Sequence, residues 1–186
     1  VLSSKIEGTQ ATFGEVLEFE ASDESVTGEK RDDIQEVLQY RAALRQAVAG
    51  LSTVPLSQRL LKDAHRALMQ GVRGTNTAPG AYRRVPYWVG PVGCEQHEAK
   101  FIPPAAADIA GRMNHWERYL HGDAPDSLIQ LAVLHAEFEA IHPFLDGNGR
   151  LGRLLVPLFL IHKRMLSGPH FYISAFLEAN RDEYYE

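Results

Sequence analysis

The sequence has a single cysteine, Cys94, among 186 residues. One thiol rules out an intramolecular disulfide, and a reducing, cytoplasmic setting is the default that follows. Long apolar runs are also missing. The longest extends from Leu154 to Ile161, far short of the ~20 residues a membrane-spanning helix needs. Positive charge is in deficit: 19 Lys and Arg face 24 Asp and Glu, a formal net charge of −5. Such a chain has no overall field to draw in nucleic acid or an anionic membrane, so any phosphate must be bound by a local site. No repeat or low-complexity stretch occurs, and the eight histidines show no zinc-ligand spacing. What remains, 45% hydrophobic and 23% charged, is the composition of an ordinary globular domain long enough for a core. The chain starts at Val1 and stops at Tyr184-Tyr185-Glu186, so it is expected to be a piece of a longer protein, truncated at both ends.

The apolar spacing is mostly helical. Ser3 and Ser4 followed by Glu7 and Gly8 suit one short helix with a serine N-cap and a glycine end. Residues 9 to 28 are mixed and read as loop. Ile34, Val37, Leu38, Leu44 and Val48 recur at helical spacing from Lys30 to Ala49, and Leu60, Leu61, Ala64, Leu68 and Met69 do so from Ser57 to Gln70. Residues 74 to 104 break the pattern with Gly and Pro. There the aromatic run Tyr82 to Val89, the turn signals Gly90-Pro91 and Gly93, and the return Lys100-Phe101-Ile102 predict a small β-hairpin. A helix opening at Pro104 carries Ile109, Met113, Trp116 and Leu120. The next, Ser127 to Ile141, has Leu128, Leu131, Leu134, Phe138 and Ile141 on a broad apolar face. Another runs from Arg150 to Arg164 through Pro157, a helix-kinking residue, and a last begins near Ser174.

The informative stretch is His142-Pro143-Phe144-Leu145-Asp146-Gly147-Asn148-Gly149-Arg150-Leu151-Gly152-Arg153. Two apolar helices are joined there by a tight loop with two glycines. Successive backbone N–H groups can converge in such a loop, and the positive end of the following helix faces it, which makes an anion site. Arg150 and Arg153, three apart, share one face of that helix and can grip phosphate oxygens. Asp146 is a hard oxygen ligand suited to Mg²⁺ shared with phosphates. His142 is the side chain suited to take a proton near neutral pH. A plain turn with helix caps and solvated arginines would not call for all of these groups at one junction of two apolar helices. A polyphosphate-handling site does.

The stretch resembles the signature of the Fic family, H-x-F-x-[DE]-G-N-G-R-x-x-R, at every position. Ala81-Tyr82-Arg83, Trp88-Val89-Gly90 and Phe101-Ile102-Pro103-Pro104 resemble that family's flap, and Ser3-x-x-x-Glu7-Gly8 resembles its inhibitory motif, [ST]-x-x-x-E-[GN]. The resemblance implies an all-α, Fic-type helical bundle with one small β-hairpin flap over the active site. It divides the chain into an N-terminal helical region, 1–75, with an inhibitory helix near 3–8, and a catalytic core, 76–186, with the flap at about 82–102 and the loop at 142–153. The two are expected to form one compact unit.

The resemblance also implies a protein adenylyltransferase that moves AMP from ATP to a Tyr, Thr or Ser hydroxyl of a target protein. His142 would be the general base and Asp146 the Mg²⁺ ligand. Gly147, Asn148 (through its side-chain amide) and Gly149 would form the anion hole. Arg150 and Arg153 would bind the β- and γ-phosphates, with Tyr184 and Tyr185 near the adenine. Tyr87 and Ile102 of the flap would hold the target as an added strand, whereas Trp88 reads as a packed aromatic. Glu7, with Ser3 of the same motif, would inhibit by pairing with Arg153. Gly149 favours nucleotidyl transfer over phosphate transfer, since a phosphate-transferring relative has lysine there. Alternatives are removal of AMP, use of another nucleotide by the same loop, and a catalytically silent regulatory module. Nucleic acid would enter only through a DNA-binding domain beyond residue 186, and several apolar helix faces would allow a homodimer. His135 is expected to be packed or hydrogen-bonded, not a ligand.

Overall fold

The computed structural model describes residues 1–21, 28–71, 78–91, 93–170 and 173–185. Helices dominate: α1 Leu2–Lys5, α2 Phe13–Ala21, α3 Glu29–Gly50, α4 Gln58–Leu68, α5 Ile109–Leu120, α6 Ser127–Ile141, α7 Asn148–His162, α8 Ser174–Ala179 and α9 Arg181–Tyr185. Local signals fix several starts. Ser57 caps α4 by accepting from the Leu60 N–H at 3.4 Å, and Asp126 Oδ1 accepts from Leu128 and Ile129 at 2.7 and 3.1 Å to open α6. Among the described residues no helix is long and apolar enough to cross a membrane.

The main core joins α3, α4, α5, α6 and α7, with Trp116, Phe138, Phe144 and Phe159 wholly enclosed. Trp116 is also tied at its polar edge, donating from Nε1 to the Leu134 carbonyl at 2.8 Å, as a buried indole requires. Buried Gln130 donates to the carbonyls of Tyr119, Leu120 and Gly122 and so closes the open end of α5. A smaller cluster of Ala11, Val16, Ile34 and Val37 seats the N-terminal segment on α3.

Five expectations are corrected. The hairpin does not form as a strand pair: among the described residues the flap holds only one antiparallel bridge, Val89 with Phe101, made by mutual N–H to carbonyl bonds of 2.9 and 3.1 Å. Pro86, Pro91, Pro103 and Pro104 remove the donors a longer ladder needs. Residues 13–21, read as loop, are helical. Thr12 and Glu15 form a reciprocal cap there, with Thr12 N–H on Glu15 Oε2 at 2.9 Å and Glu15 N–H on Thr12 Oγ1 at 3.3 Å. No serine caps α1, which starts before Ser3; the Ser3 hydroxyl serves another partner described below. The helix expected from Pro104 starts with a 3₁₀ turn at Ala106–Asp108 before α5. Leu128 is 56% exposed, because the face of α6 that turns inward runs through Leu131, Leu134, Phe138 and Ile141.

Candidate active site

The loop between α6 and α7 begins with strain. His142 ends α6 in the left-handed region, φ 47° and ψ 61°, a conformation that costs a non-glycine residue about 1 kcal/mol or more. Arg83 holds it there. This arginine is 3% exposed and donates from Nε to the His142 carbonyl at 2.8 Å, and from Nη2 to the carbonyls of Pro104 at 2.6 Å and Ile141 at 3.4 Å. Its backbone N–H adds a bond to the Pro143 carbonyl at 2.9 Å. A cation thus closes the negative end of α6 and ties the flap to it.

His65 of α4 fixes the middle of the loop. Its fully buried ring stacks on Phe144 at 3.9 Å between centroids. Nδ1 accepts from the Gly80 N–H at 2.8 Å, so Nε2 carries the proton and donates to the Asp146 carbonyl at 2.9 Å. Burial pushes this imidazole below its usual range, in keeping with that neutral tautomer. Gly147 turns the chain with φ 74°, and a Cβ there would meet Met69 Sδ at 2.9 Å. Asn148 closes the loop on itself: its Oδ1 accepts from the Phe144 N–H and its Nδ2 donates to the Phe144 carbonyl, both at 2.9 Å. The expected use of its side-chain amide on an anion is therefore corrected, and what Asn148 can offer a ligand is its backbone N–H at the start of α7.

Above the loop lies a cavity of about 470 Å³ whose walls include His142, Asp146 to Arg150, Arg153, Tyr87 and Tyr184. Both arginines are buried, Arg150 at 4% and Arg153 at 2% exposure. Arg153 donates from Nε to the Ser3 hydroxyl at 3.0 Å and from Nη2 to the Ser3 carbonyl at 2.9 Å and to Glu7 Oε1. The other oxygen of Glu7 lies 3.0 Å from Arg150 Nε. Glu7 thus spans both arginines, where the sequence suggested Arg153 alone. Its carboxylate also lies against Gly149, where a Cβ would collide with it. A carboxylate here occupies the combined charge of two guanidiniums and a helix N-terminus. Arg150 has two further carboxylates, Glu36 Oε1 at 3.1 Å and Asp146 Oδ1 at 3.4 Å.

The His142 ring stacks on Tyr87, 5.1 Å between centroids. Burial holds its imidazole down at about 4, with the backbone carbonyl of Glu139 pulling the other way. It is therefore neutral at pH 7, the form that accepts a proton. Asp146 Oδ1 accepts from the Gly147 N–H at 2.6 Å, while Oδ2 has no hydrogen bond among the described residues. No group of three metal-ligating side chains exists among those residues. A single free hard oxygen beside an anion nest fits Mg²⁺ whose other ligands are phosphate and water. It does not fit a cation held by protein alone.

The other candidates fall unevenly. Tyr184 donates or accepts at His135 Nε2, 3.1 Å away, and His135 Nδ1 lies 3.1 Å from the Gly152 carbonyl, so His135 is hydrogen-bonded as expected. The side chain of Tyr185 lies outside the described part of the structure. Ile102 is 52% exposed and is not among the cavity walls. Trp88, expected to be packed, is 36% exposed with its indole N–H on the Cys94 carbonyl at 3.0 Å. Sequence reasoning missed Arg83, His65, Glu36 and Glu139. The last also lines the cavity, with a buried Oε1 that has no hydrogen-bond partner among the described residues. Burial raises its carboxyl to about 7 against the pull of Arg153, and Gly152 leaves the room it occupies.

Fold and site together define a helical domain built around a glycine-turned loop with two buried arginines, on which the Glu7 carboxylate of the N-terminal segment is seated. The description of the Fic/DOC family matches residues 55–160 and that of the Fic/DOC family N-terminal region matches residues 1–49. The chain belongs to the Fic/DOC family. It is 29% identical over 160 residues to a protein named Protein adenylyltransferase Fic from Drosophila erecta, covering 84% of this chain and 30% of that protein. The chain thus spans about 30% of the length of the curated relatives it matches. A crystal structure of a Fic family protein from Desulfovibrio desulfuricans superposes with a TM-score of 0.78 at 27% identity, covering 99% of this chain and 53% of that one. A Fic domain containing signaling protein from Bacteroides thetaiotaomicron shares the fold, with a TM-score of 0.77 at 21% identity over 97% of this chain and 66% of that one.

Proposed function

We propose that this domain transfers AMP from ATP to a Tyr, Thr or Ser hydroxyl of a protein and is held inactive by Glu7. The observation that carries this reading is the seat of the Glu7 carboxylate, which occupies both arginines at the start of α7 as a phosphate would. An arginine pair this buried binds an anion or loses much of its stability, and Glu7 is the anion present. Two Arg150 donors, Nε and Nη1, lie within ion-pair distance of carboxylates without being aligned as hydrogen bonds. Phosphate oxygens can improve on that arrangement.

With Glu7 displaced, the β- and γ-phosphates would take Arg150 and Arg153, and the N–H groups at the start of α7 would face the α-phosphate. Asp146 Oδ2 would hold Mg²⁺, which supplies charge neutralisation on the phosphates when bound. Neutral His142 would take the proton of the target hydroxyl as its oxygen attacks the α-phosphorus and the bond to the pyrophosphate oxygen breaks. These residues position and neutralise, which is most of what phosphoryl-type transfer asks of a protein. Tyr87, stacked on His142, would shift to admit the target, and Tyr184 would border the nucleoside.

The test is incubation with ATP labelled at the α-phosphate, Mg²⁺ and a cell lysate, comparing wild type, Glu7→Gly and His142→Ala. Glu7→Gly should label targets and itself more strongly than wild type. Adding His142→Ala should remove a factor of about 10²–10⁴, the usual weight of a positioned base. Equal labelling by wild type and Glu7→Gly would end the self-inhibition reading. Mass spectrometry of the product identifies the transferred group as AMP, phosphate or another moiety.

A further inference from the structure

Arg150 is buried in the site, and three carboxylates reach it from three different elements. Glu7 comes from the segment after α1, a helix of four residues. Asp146 sits in the loop with its side chain 41% exposed. Glu36 comes from α3, a helix of 22 residues, and its side chain is 13% exposed. Ile34 and Val37 beside Glu36 are buried against the N-terminal segment, and farther along the same helix Ala43, Leu44 and Ala47 enter the main core. Glu36 is therefore fixed to the body of the domain by a long helix, whereas Glu7 sits on a short segment anchored by Ile6 and a few polar contacts.

We propose that Glu36 is a positioning residue for the polyphosphate, holding the Arg150 guanidinium in place for the phosphates once Glu7 has left. The proposal rests on the reading of this cavity as an ATP site. An inhibitory group has to depart for the site to open, and a carboxylate in the middle of α3 has nowhere to go. A buried guanidinium deprived of Glu7 still needs a fixed counter-charge close by. Asp146 is the group expected to turn to Mg²⁺, which leaves Glu36. Its Oε1, 3.1 Å from Arg150 Nη1, also accepts from the Thr9 hydroxyl at 3.1 Å. Thr9 lies two residues after Glu7. Departure of that segment would free this oxygen to bond Arg150 alone, so opening the site would tighten the hold on the arginine.

The experiment measures dissociation constants for ATP and for AMP, each with Mg²⁺, on Glu7→Gly alone and combined with Glu36→Gln or Glu36→Asp. AMP lacks the β- and γ-phosphates, so it reports on the cavity without Arg150. Glu36→Gln should weaken ATP roughly ten- to a hundredfold, the range of one interaction with a charged group, while AMP changes by less than about twofold. Glu36→Asp should recover part of the ATP loss. Tighter ATP binding in Glu36→Gln would mark Glu36 as a second inhibitory carboxylate and overturn the proposal. So would an equal fall for ATP and AMP, which a purely structural role produces, or no change in either. Thermal melting accompanies each variant, and if the Gln variant does not fold the Asp variant carries the same ratio test. Failure of Glu7→Gly itself to bind ATP sinks the reading of the cavity and this proposal with it. Binding by Glu7→Gly with an unchanged ATP-to-AMP ratio in the Glu36 variants sinks this proposal alone.

Discussion

The loop from His142 to Leu151 and the segment from Ser3 to Gln10 meet at two arginines, yet they are held by different physics. The loop is embedded: Phe144 is in the core, Asn148 closes on Phe144, His65 and Arg83 satisfy its carbonyls, and α7 behind it is buried along nearly its whole length. The segment is attached mainly at polar points. Ser3 and Glu7 hold Arg153, Thr9 holds Glu36, the Gln10 N–H donates to Asp33 at 2.8 Å, and Lys5 pairs with Glu178 at 3.5 Å. Ile6 is its buried apolar anchor. Local opening draws on elements with little buried apolar area, so the segment can leave at a small part of the global stability while the loop moves only when the core does.

The strongest way to break this contrast is at Arg83. Arg83→Ala strips donors from the Ile141, His142 and Pro104 carbonyls, and buried unpaired carbonyls cost about 1–3 kcal/mol each. A loss of about 3 kcal/mol, or roughly 6–12 °C in melting temperature for a chain of this size, is expected by calorimetry. AMP transfer in a Glu7→Gly background should fall with it, since His142 loses its hold. A variant that melts like the parent would show that the loop is less deeply fixed than its contacts imply.

A second, smaller effect concerns pH. The imidazole of His142 lies at about 4 instead of 6.5. Because the folded state disfavours the charged ring, the neutral base persists as pH falls through 6.5 and is lost only near 4. A base at its ordinary value would lose about tenfold per pH unit below 6.5. The transfer rate of Glu7→Gly should therefore show no limb from His142 between pH 7 and 5.5. Stability follows the same sign: it is intact above 6.5 and declines as pH falls from 6.5 through about 4, because the unfolded chain takes up the proton first. Glu139, raised to about 7, is a second group of the cavity placed in this range. A limb near 7 that vanishes in Glu139→Gln belongs to it. A limb near 6.5 that survives Glu139→Gln would mean that His142 is not shielded by the fold.

Legibility in the sequence follows the same divide. Helices with clean caps or strong apolar periodicity were readable: α3, α4 and α6 fall within a residue or two of expectation. The loop was readable because its chemistry is local, all its groups lying within twelve residues of chain. What supports it was not. His65, Arg83 and Glu36 are 81, 59 and 114 residues from the loop atoms they contact, and no spacing rule relates a histidine in α4 to the carbonyl of Asp146. The flap was misread because the aromatic run Tyr82 to Val89 and the turn signals after it suggested a ladder that its prolines forbid. The α2 cap, Thr12 with Glu15, was visible and overlooked.

The smallest expected effect tests the attachment of the segment directly. Ser3→Ala removes the hydroxyl that Arg153 Nε donates to, while the Ser3 carbonyl and Glu7 stay on Nη2. One hydrogen bond from a charged donor is worth about 1.5–3 kcal/mol, but the freed Nε can turn to water once the segment lifts, which places the loss near about 1 kcal/mol and the gain in opening near about fivefold. Because opening is local, this should not reach the global transition. The melting temperature should move by no more than about 2 °C, amide exchange should quicken across residues 3–10, and self-labelling with ATP should rise a few-fold, well short of Glu7→Gly. If instead the amides at the start of α7 quicken to the same extent, loop and segment open as one unit. The inhibitory contact would then be part of the core and not a strap laid over it.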